Sequence, residues 1–348
     1  MPERFLVIRL SSIGDIVHAL PAVSALSEAR PGAQITWAVE SRYSVLLDGN
    51  PSVYRVLKID TLGWRKRWRS ANTLREVISF VRDLRRDRYD AVIDFQGLLK
   101  TGVLAALSRS PRRIGYAKWR HRELGAGLFY SEEIPLRDTG HVIEESLALV
   151  KALGARTGCW RFPLPRREED ERYVETRLGD MNATAFILVS PGGGWIAKRW
   201  GPENYARLIA RMGESGATRD LAVVLTGSTS EERDIQAILQ RRGNPRSYYM
   251  QATLGQYMAL ARRARLFVGG DTGPMHLAAA LRVPVVALMG PTSASRNGPF
   301  SSSDIALSNN EPVNHTRRTR AQTYMEGISV DEVVAAVEER LARADERR

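Results

Sequence analysis

The sequence of 348 residues is poor in the side chains that hold disulfides and metal ions. Cys159 is the single cysteine, so neither a disulfide framework nor a cysteine-based zinc site is available. The five histidines are scattered and show no metal-ligand spacing. These absences exclude a disulfide-stabilised secreted domain and favour a reducing compartment.

Long apolar runs are also missing. No stretch approaches the roughly 18 apolar residues that span a bilayer. The segment "MPERFLVIRLSSIGDIV" carries Arg9 and Asp15 where a signal peptide needs an unbroken apolar region. We therefore expect a cytoplasmic protein without a spanning helix.

Acidic residues are too few to balance the basic ones. The chain has 51 Lys and Arg against 39 Asp and Glu, a net charge of +12. Residues 64–88 hold nine basic and three acidic residues, and residues 109–122 hold six basic residues and no acid. Such a charge favours an anionic partner, which can be nucleic acid, a membrane surface or a phosphorylated substrate.

What is present is an alternation of strands and helices, restarted once. The strands "RFLVIRL", "QITWAVE", "VYRVLKI" and "YDAVIDF" are separated by helical patterns, one of them with Leu74, Val77, Ile78, Val81 and Leu84 on one face. Residues 155–170 lose this periodicity and read as a linker, after which "AFILVSP" begins a second series. The pattern predicts an α/β protein of two doubly wound parallel domains facing each other across a cleft, with ligands beyond the carboxyl ends of the strands.

The loop after the first strand, "LSSIGDIVHALPA", places Asp15 at a helix start. Asp is a favoured N-cap, so a purely structural role is open. However, Ser11 or Ser12 caps equally well, and Gly14 permits close approach to the backbone. A carboxylate facing a cleft is then a candidate general base.

The loop "SPGGGWIAKRWGPENY" follows the first strand of the second half. Its glycines match a dinucleotide fingerprint, but Pro202 places the helix start after Gly201, too late for that motif. Lys198 and Arg199 therefore belong either to a solvated basic loop or to a phosphate clamp.

The stretch "FVGGDTGPMHLAAAL" sets Asp271 in a glycine turn before a helix. Free amides and the helix dipole at such an end attract a phosphate or diphosphate. Asp271 then shapes the turn or accepts a bond from a ligand hydroxyl. His276 reaches the same ligand or is a satisfied core residue.

Taken together, these segments resemble glycosyltransferase family 9, the lipopolysaccharide heptosyltransferases. The resemblance runs through "RLSSIGDIVHALPAVSAL", "YDAVIDFQGLLKTG", "AKRWGPENYARL", "LTGSTSEE" and "GGDTGPMHLAAALRVPVVALMGPT". It implies a GT-B fold: an acceptor-binding Rossmann-like domain at 1–160, a nucleotide-sugar-binding domain at 161–325, and a C-terminal helix within 326–348 that packs back toward the first domain.

The family also implies an activity: inverting transfer of heptose from ADP-heptose to the inner core of lipid A, without a cofactor or an essential metal. The sequence agrees on the metal, because it has no D-x-D motif. The implied partners are an ADP-sugar donor, a phosphorylated lipid A-core acceptor of the Kdo-lipid A type, and the inner face of the inner membrane as a peripheral site, with no nucleic acid.

Site residues follow from the same resemblance. Asp15 is the implied general base. The implied donor-binding residues are Lys198, which contacts the phosphate, Glu231 near the ribose, and Gly193, Gly194, Asp271, Thr272, Gly273 and His276. The expected acceptor-binding residues are Ser12, Gly14, Arg65, Lys66, Arg67, Gln96 and Arg120. Trp64 and Trp68 are expected at the membrane interface.

Some alternatives stay open. "AKRW" resembles the enzymes that add the second heptose, whereas the tryptophan-and-arginine stretch 64–69 resembles those that add the first. Another sugar or surface glycan is therefore a second candidate. A nicotinamide-dependent oxidoreductase rests only on the discounted glycine pattern. A basic, non-enzymatic nucleotide or nucleic-acid binding protein explains the charge but gives Asp15 and Asp271 no role.

Overall fold

The computed structural model of the chain describes residues 2–117, 123, 125–136, 140–156, 158–241, 243–309 and 323–346. The chain divides into two compact units, Met1–Pro165 and Arg166–Arg348. The division lies within residues 155–170, where the sequence loses its periodicity. Both units are α/β and each is built on one six-stranded parallel sheet, which confirms the predicted fold class.

The sheet of the first unit has the order β3-β2-β1-β4-β5-β6. Its strands are β1 (Arg4–Ile8), β2 (Gln34–Glu40), β3 (Arg55–Ile59), β4 (Ala91–Asp94), β5 (Arg112–Tyr116) and β6 (Glu132–Ile134). The described helices are α1 (Ile13–Ala29), α2 (Thr61–Lys66), α3 (Ala71–Leu84), α4 (Leu99–Leu107) and α5 (Val142–Lys151). The central strand β1 is buried from Phe5 to Ile8, as expected for a strand covered on both faces.

The predicted apolar face of α3 is only partly correct. The helix buries Thr73, Phe80 and Leu84, whereas Leu74 and Ile78 are exposed. Phe80 and Leu84 are four residues apart, so their side chains lie on the same side of the helix and both reach the core. The sequence pattern contained two apolar lines along this helix, and the sheet covers one of them.

The second unit repeats the topology of the first. Its strands are β7 (Phe186–Ser190), β8 (Ala222–Leu225), β9 (Ser247–Tyr249), β10 (Leu266–Gly270), β11 (Val285–Met289) and β12 (Ile305–Ser308), in the order β12-β11-β10-β7-β8-β9. Its described helices are α6 (Glu168–Asp180), α7 (Pro202–Glu214), α8 (Glu232–Arg241), α9 (Leu254–Arg263), α10 (Gly273–Ala280), α11 (Ala294–Asn297), α12 (Thr323–Glu326) and α13 (Val330–Asp345). Counted from its own first strand, this sheet also runs 3-2-1-4-5-6.

The last helix, α13, contributes to the core of the second unit. Val333, Val337 and Leu341 are buried with residues of α7, β10 and β11, and Arg340 pairs with Asp304 at 2.9 Å. The apolar side of α13 is therefore covered by its own unit. The packing of this segment toward the first domain stays a prediction.

In a sheet of this order, the strand sequence reverses direction between the first and fourth strands. Loops leaving the carboxyl ends on either side diverge there and leave room for a ligand. Ile8 of β1 lies beside Asp94 of β4, and Ser190 of β7 lies beside Gly269 of β10. The three loops singled out in the sequence all start at these positions.

Candidate active site

The carboxylate of Asp271 is the centre of a bonded cluster at the carboxyl edge of the second sheet. It is 6% exposed. Lys198 Nζ donates to its Oδ2 at 2.6 Å and to its main-chain oxygen at 3.2 Å. His276 Nε2 lies 3.0 Å from Oδ1, and Thr292 Oγ1 donates to Oδ2 at 2.6 Å. Three loops, after β7, β10 and β11, thus converge on one carboxylate.

The protonation state of Asp271 follows from these contacts. Burial raises the pKa of a carboxyl group, but here the hydrogen bond and charge of His276 and the charge of Lys198 outweigh burial and hold the pKa of Asp271 well below its usual range. The group is therefore ionised near neutral pH and is paired with the Lys198 ammonium. Because Lys198 offsets its charge, the ionised carboxylate is compatible with an anion bound nearby.

Glycines at two strand ends allow the Lys198 turn to pack over the sheet. A Cβ atom at Gly270 would lie 3.0 Å from the Lys198 oxygen, and one at Gly290 would lie 2.9 Å from the Ala197 oxygen. Side chains at these positions would push away the short 3-10 turn Ile196–Lys198. The double glycine before Asp271 therefore serves close backbone approach rather than only a turn.

Helix α10 begins directly after the Asp271 turn. Thr272 is the N-cap residue and Gly273 the first helical residue, with Pro274 in the first turn. The first N–H groups of a helix have no partner within it and carry a partial positive charge. Lys198 and the start of α10 are joined through Asp271, and together they form an anion-binding arrangement.

Glu231 lies against the same glycine loop. Its Oε2 accepts bonds from the Ser228 N–H and hydroxyl at 2.7 and 2.8 Å. A Cβ atom at Gly192 would lie 1.8 Å from Glu231 Oε1, so any other residue there would displace the Glu231 carboxylate. A Cβ at Gly193 would touch the Thr272 methyl at 3.7 Å, whereas Gly194 has nothing within 4 Å. The structure thus brings Glu231 to the glycine loop and Gly193 to Thr272, and leaves Gly194 exposed.

In the first unit, Asp15 is not the N-cap of α1. Ser12 is the N-cap residue, and Asp15 is the third helical residue. Asp15 Oδ2 accepts bonds from the Ser12 N–H at 2.9 Å and the Ser12 hydroxyl at 3.0 Å. Its other oxygen pairs with Arg9. The carboxylate closes a capping box and keeps about a fifth of its surface exposed, at 19%.

Arg9 and Gln96 fix the loop that carries Asp15. The Arg9 guanidinium is buried and also donates to the Phe95 oxygen. Gln96 Oε1 accepts the Leu10 N–H at 2.8 Å. Both contacts cross from the loop after β1 to the loop after β4, which is where the strand order reverses. Gln96 therefore lies beside the predicted base, and its amide oxygen is used to hold the loop.

A buried carboxyl supports this second loop. Asp94 is fully buried, and its Oδ1 accepts the Gln96 N–H at 2.8 Å while Tyr130 donates to Oδ2 at 2.7 Å. Burial raises the pKa of Asp94, and the hydrogen bonds from Tyr130, Thr101 and the backbone only partly oppose this. Asp94 orients the loop and does not face solvent.

The predicted acceptor cations are split by the structure. Arg65 and Lys66 are exposed at the end of α2. Arg67 instead bonds Glu76 at 3.1 Å and lies 3.5 Å from Asp60. Arg120 lies outside the described residues. Thus all three described cations are exposed, but Arg67 is engaged by two carboxylates.

Trp64 does not fit its predicted place at a membrane interface. Its ring packs edge-to-face on Phe80 at 5.7 Å, and its N–H donates to Glu76 at 2.9 Å. It belongs to the periphery of the first unit's core. Trp68, by contrast, is 69% exposed.

Two site residues were missed from sequence. Arg9 ends an apolar strand, "FLVIRL", and a charge at that point is a signal for a buried ion pair. Thr292 follows β11 in "MGPTS", and its position beside the β10 loop depends on the strand order. Within the described ranges, no group of His, Cys, Asp or Glu is arranged to hold a metal ion, and no described helix is long and apolar enough to cross a membrane.

Comparison with known proteins agrees with this geometry. Residues 77–326 match glycosyltransferase family 9 (heptosyltransferase). The chain is 32% identical over 315 residues to lipopolysaccharide heptosyltransferase 1 of Pseudomonas aeruginosa, covering 89% of this chain and 84% of that protein. It is 27% identical over 329 residues to the Escherichia coli K12 heptosyltransferase 1, covering 94% and 99%.

Solved structures show the same architecture. E. coli heptosyltransferase WaaC with ADP superposes with a TM-score of 0.80 at 25% identity, covering 97% of this chain and 99% of that one. A family 9 glycosyltransferase from Veillonella parvula gives a TM-score of 0.83 at 21% identity, covering 98% of each chain. Its sequence and its fold agree: the chain belongs to glycosyltransferase family 9, the heptosyltransferase family.

Proposed function

We propose that this chain transfers a heptose from ADP-heptose to the inner core of lipopolysaccharide. The observation that carries the proposal is the cluster of Lys198, His276 and Thr292 on Asp271 at the start of α10. The similarity supports it, because WaaC was solved with ADP and with ADP-2-deoxy-2-fluoro heptose. This cluster supplies the positive surface that a sugar diphosphate needs.

On the donor side, Lys198 holds the diphosphate while remaining bonded to Asp271. An ammonium group has three N–H donors, and Lys198 uses two of them on Asp271. The third is available to a phosphate oxygen without breaking the pair. Together with the α10 amides, Lys198 stabilises the charge that accumulates on the leaving ADP, which is the role a divalent ion fills in other enzymes. Glu231 is placed to accept from ribose hydroxyls.

On the acceptor side, Asp15 is the general base. The acceptor hydroxyl oxygen attacks the anomeric carbon, the bond from that carbon to the ADP oxygen breaks, and the hydroxyl proton passes to Asp15. One displacement inverts the configuration and needs no cofactor. Arg9 pairs with the Asp15 carboxylate, and the exposed fifth of Asp15 gives the hydroxyl access.

The acceptor is a phosphorylated lipid A-core molecule, which supports a peripheral site for the enzyme on the inner face of the inner membrane. Arg65 and Lys66 are exposed and suited to its phosphates and carboxylates. Nucleic acid is disfavoured as the partner, since Asp15 and Glu231 would face its phosphates. A second candidate is the transfer of another sugar, or transfer to another surface glycan, and the glycine loop at Gly192–Gly194 favours it. The donor that the enzyme uses distinguishes the two candidates.

The test is mass spectrometry of products from ADP-heptose and a Kdo-lipid A acceptor, with ADP-glucose in parallel and a chelator in both. We expect one heptose added, undiminished by the chelator, and loss of turnover in Lys198→Ala. Arg241→Ala, which removes an exposed pair with Glu203, is the matched control. Transfer of glucose rather than heptose would show that ADP-heptose is not the donor. A strict requirement for magnesium would contradict the role of Lys198.

A further inference from the structure

The outer side of α3 carries apolar side chains that the core does not use. Leu74 is 62% exposed and Ile78 is 50% exposed. They are four residues apart and therefore lie on one line along the helix. The buried line of the same helix, through Phe80 and Leu84, is separate. This leaves an apolar line facing outward after the first unit has folded.

Exposed apolar residues are concentrated in this part of the chain. Among the described residues, ten large apolar side chains are exposed, and four of them fall between positions 62 and 78: Leu62, Trp68, Leu74 and Ile78. A single exposed leucine is ordinary. A cluster of this kind marks a surface that binds something.

Basic residues border the apolar line of α3, whereas the acidic residues Glu76 and Asp83 lie on the other side of the helix. Arg82 continues the line one turn beyond Ile78, and Arg75 lies next to Leu74; both are exposed. Glu76 and Asp83 lie about half a turn from Leu74, on the other side of the helix. Glu76 is moreover engaged by Arg67 and Trp64.

The segment before α3 has the same character. Arg65, Lys66 and Arg69 are exposed, and the Arg69 guanidinium lies 4.6 Å above the ring of Trp68. A tryptophan beside cations suits the boundary between lipid headgroups and acyl chains. Nucleic acid would use the cations but not the aliphatic side chains.

We propose that this surface docks on an anionic lipid bilayer, with its apolar side chains in the headgroup region and its cations on lipid phosphates. We call it the apolar-basic face; it comprises Leu74, Arg75, Ile78 and Arg82 on α3. The inference rests on the proposed function only for the reason why the enzyme docks, which is to reach a membrane-embedded acceptor. The opposed placement of apolar and acidic residues on α3 carries the inference itself.

The test is co-sedimentation of the full chain with vesicles of phosphatidylcholine alone or of equal parts phosphatidylcholine and phosphatidylglycerol. We expect binding to the anionic vesicles that weakens as salt is added. Leu74→Ser/Ile78→Ser should reduce the partition coefficient about tenfold or more, because each side chain loses part of its transfer from water. Arg75→Gln/Arg82→Gln should reduce it comparably on anionic vesicles and leave the weak neutral binding unchanged.

The matched control is Tyr54→Ser. Tyr54 is 65% exposed but directly precedes β3 and is not part of the apolar-basic face. Equal sedimentation of the Leu74→Ser/Ile78→Ser protein and the wild type, or no preference for anionic vesicles, would overturn the proposal. Thermal melting checks that each variant is folded.

Transfer to a water-soluble, deacylated acceptor separates this inference from the proposed function. If the chain transfers heptose to that acceptor but does not sediment with vesicles, only the docking face is wrong. If it sediments through the apolar-basic face but transfers nothing, the proposed reaction is wrong and the face stands.

Discussion

At the scale of single residues, one substitution separates the capping role of Asp15 from the general-base role proposed for it. Asp15→Asn keeps the volume but removes the charge that faces Arg9. We expect turnover to fall about a hundredfold or more, the usual scale for a general base, with ADP affinity unchanged. Unfolding free energy should fall by about 1–3 kcal/mol, because the buried guanidinium loses a charged partner. A transfer assay, ADP titration and denaturant unfolding measure these effects.

The matched control is Asp87→Asn. Asp87 pairs with Arg55 at 2.9 Å with comparable exposure, but it precedes β4 and so lies at the amino edge of the sheet. It should lose stability and keep turnover. High activity in a folded Asp15→Asn enzyme would remove Asp15 from the chemistry.

Arg9 is expected to hold the Asp15 carboxylate in place. Arg9→Met removes the charged partner of Asp15 and the donor to the Phe95 oxygen, so turnover should fall about tenfold or more while ADP affinity stays unchanged. Arg9→Lys keeps the charge and should retain more turnover. Turnover of Arg9→Met equal to that of the wild type in a transfer assay would show that Arg9 is only structural.

Asp271 should contribute stability that depends on acidity. Its folded pKa is depressed, chiefly because the His276 bond and the charges of His276 and Lys198 outweigh burial. The contribution is therefore fully present above the unfolded pKa of about 3.9 and declines as pH falls from there toward the folded pKa. The difference in unfolding free energy between wild type and Asp271→Asn should be constant from about pH 5 to 7 and shrink below about pH 4. A difference that does not change over this range would contradict the assignment.

At the scale of elements, the position of the turn Ile196–Lys198 depends on Gly290, which directly follows β11. Gly290→Ala would place a Cβ 2.9 Å from the Ala197 oxygen and the Met325 sulfur. We expect a loss of about 1–3 kcal/mol from overpacking and weaker ADP binding, because Lys198 moves with the turn. Gly179→Ala, on α6 with nothing within 4 Å, is the control and should be neutral or slightly stabilising. Calorimetry and thermal melting compare the two; equal ADP affinity would separate the turn from the donor site.

The sequence patterns predicted the strands and helices better than they predicted the contacts between them. Apolar runs and Pro202 were enough for the central strands and for the start of α7, because burial and backbone limits act locally. Thr292 could not be placed beside Asp271, since that requires knowing that β10 and β11 are neighbours. Ile78 was assigned to the wrong environment because α3 carries two apolar lines, and only tertiary packing decides which one is covered. The contact of Trp64 with Phe80 likewise depends on how α2 packs against α3.

At the scale of the whole molecule, ADP should stabilise mainly the second unit. Present at about a hundred times its Kd, a ligand that binds only the folded state adds about 2.7 kcal/mol. Hydrogen exchange with a chelator present should show new protection around Gly192–Lys198 and Gly273, at the carboxyl edge of the second sheet. Protection confined to residues 1–165 would place the nucleotide in the wrong half of the chain.

The burial of α13 in the second core has a consequence for how the chain is made. The first unit ends at residue 165 and holds all its strands, so it can fold while the remainder is still being synthesised. The second unit cannot close its core until Val333, Val337 and Leu341 leave the ribosome. Until then the nascent chain exposes the apolar face of a parallel sheet, a state prone to aggregation. A premature stop before α13 would therefore yield a folded first unit attached to an aggregation-prone, protease-sensitive second unit.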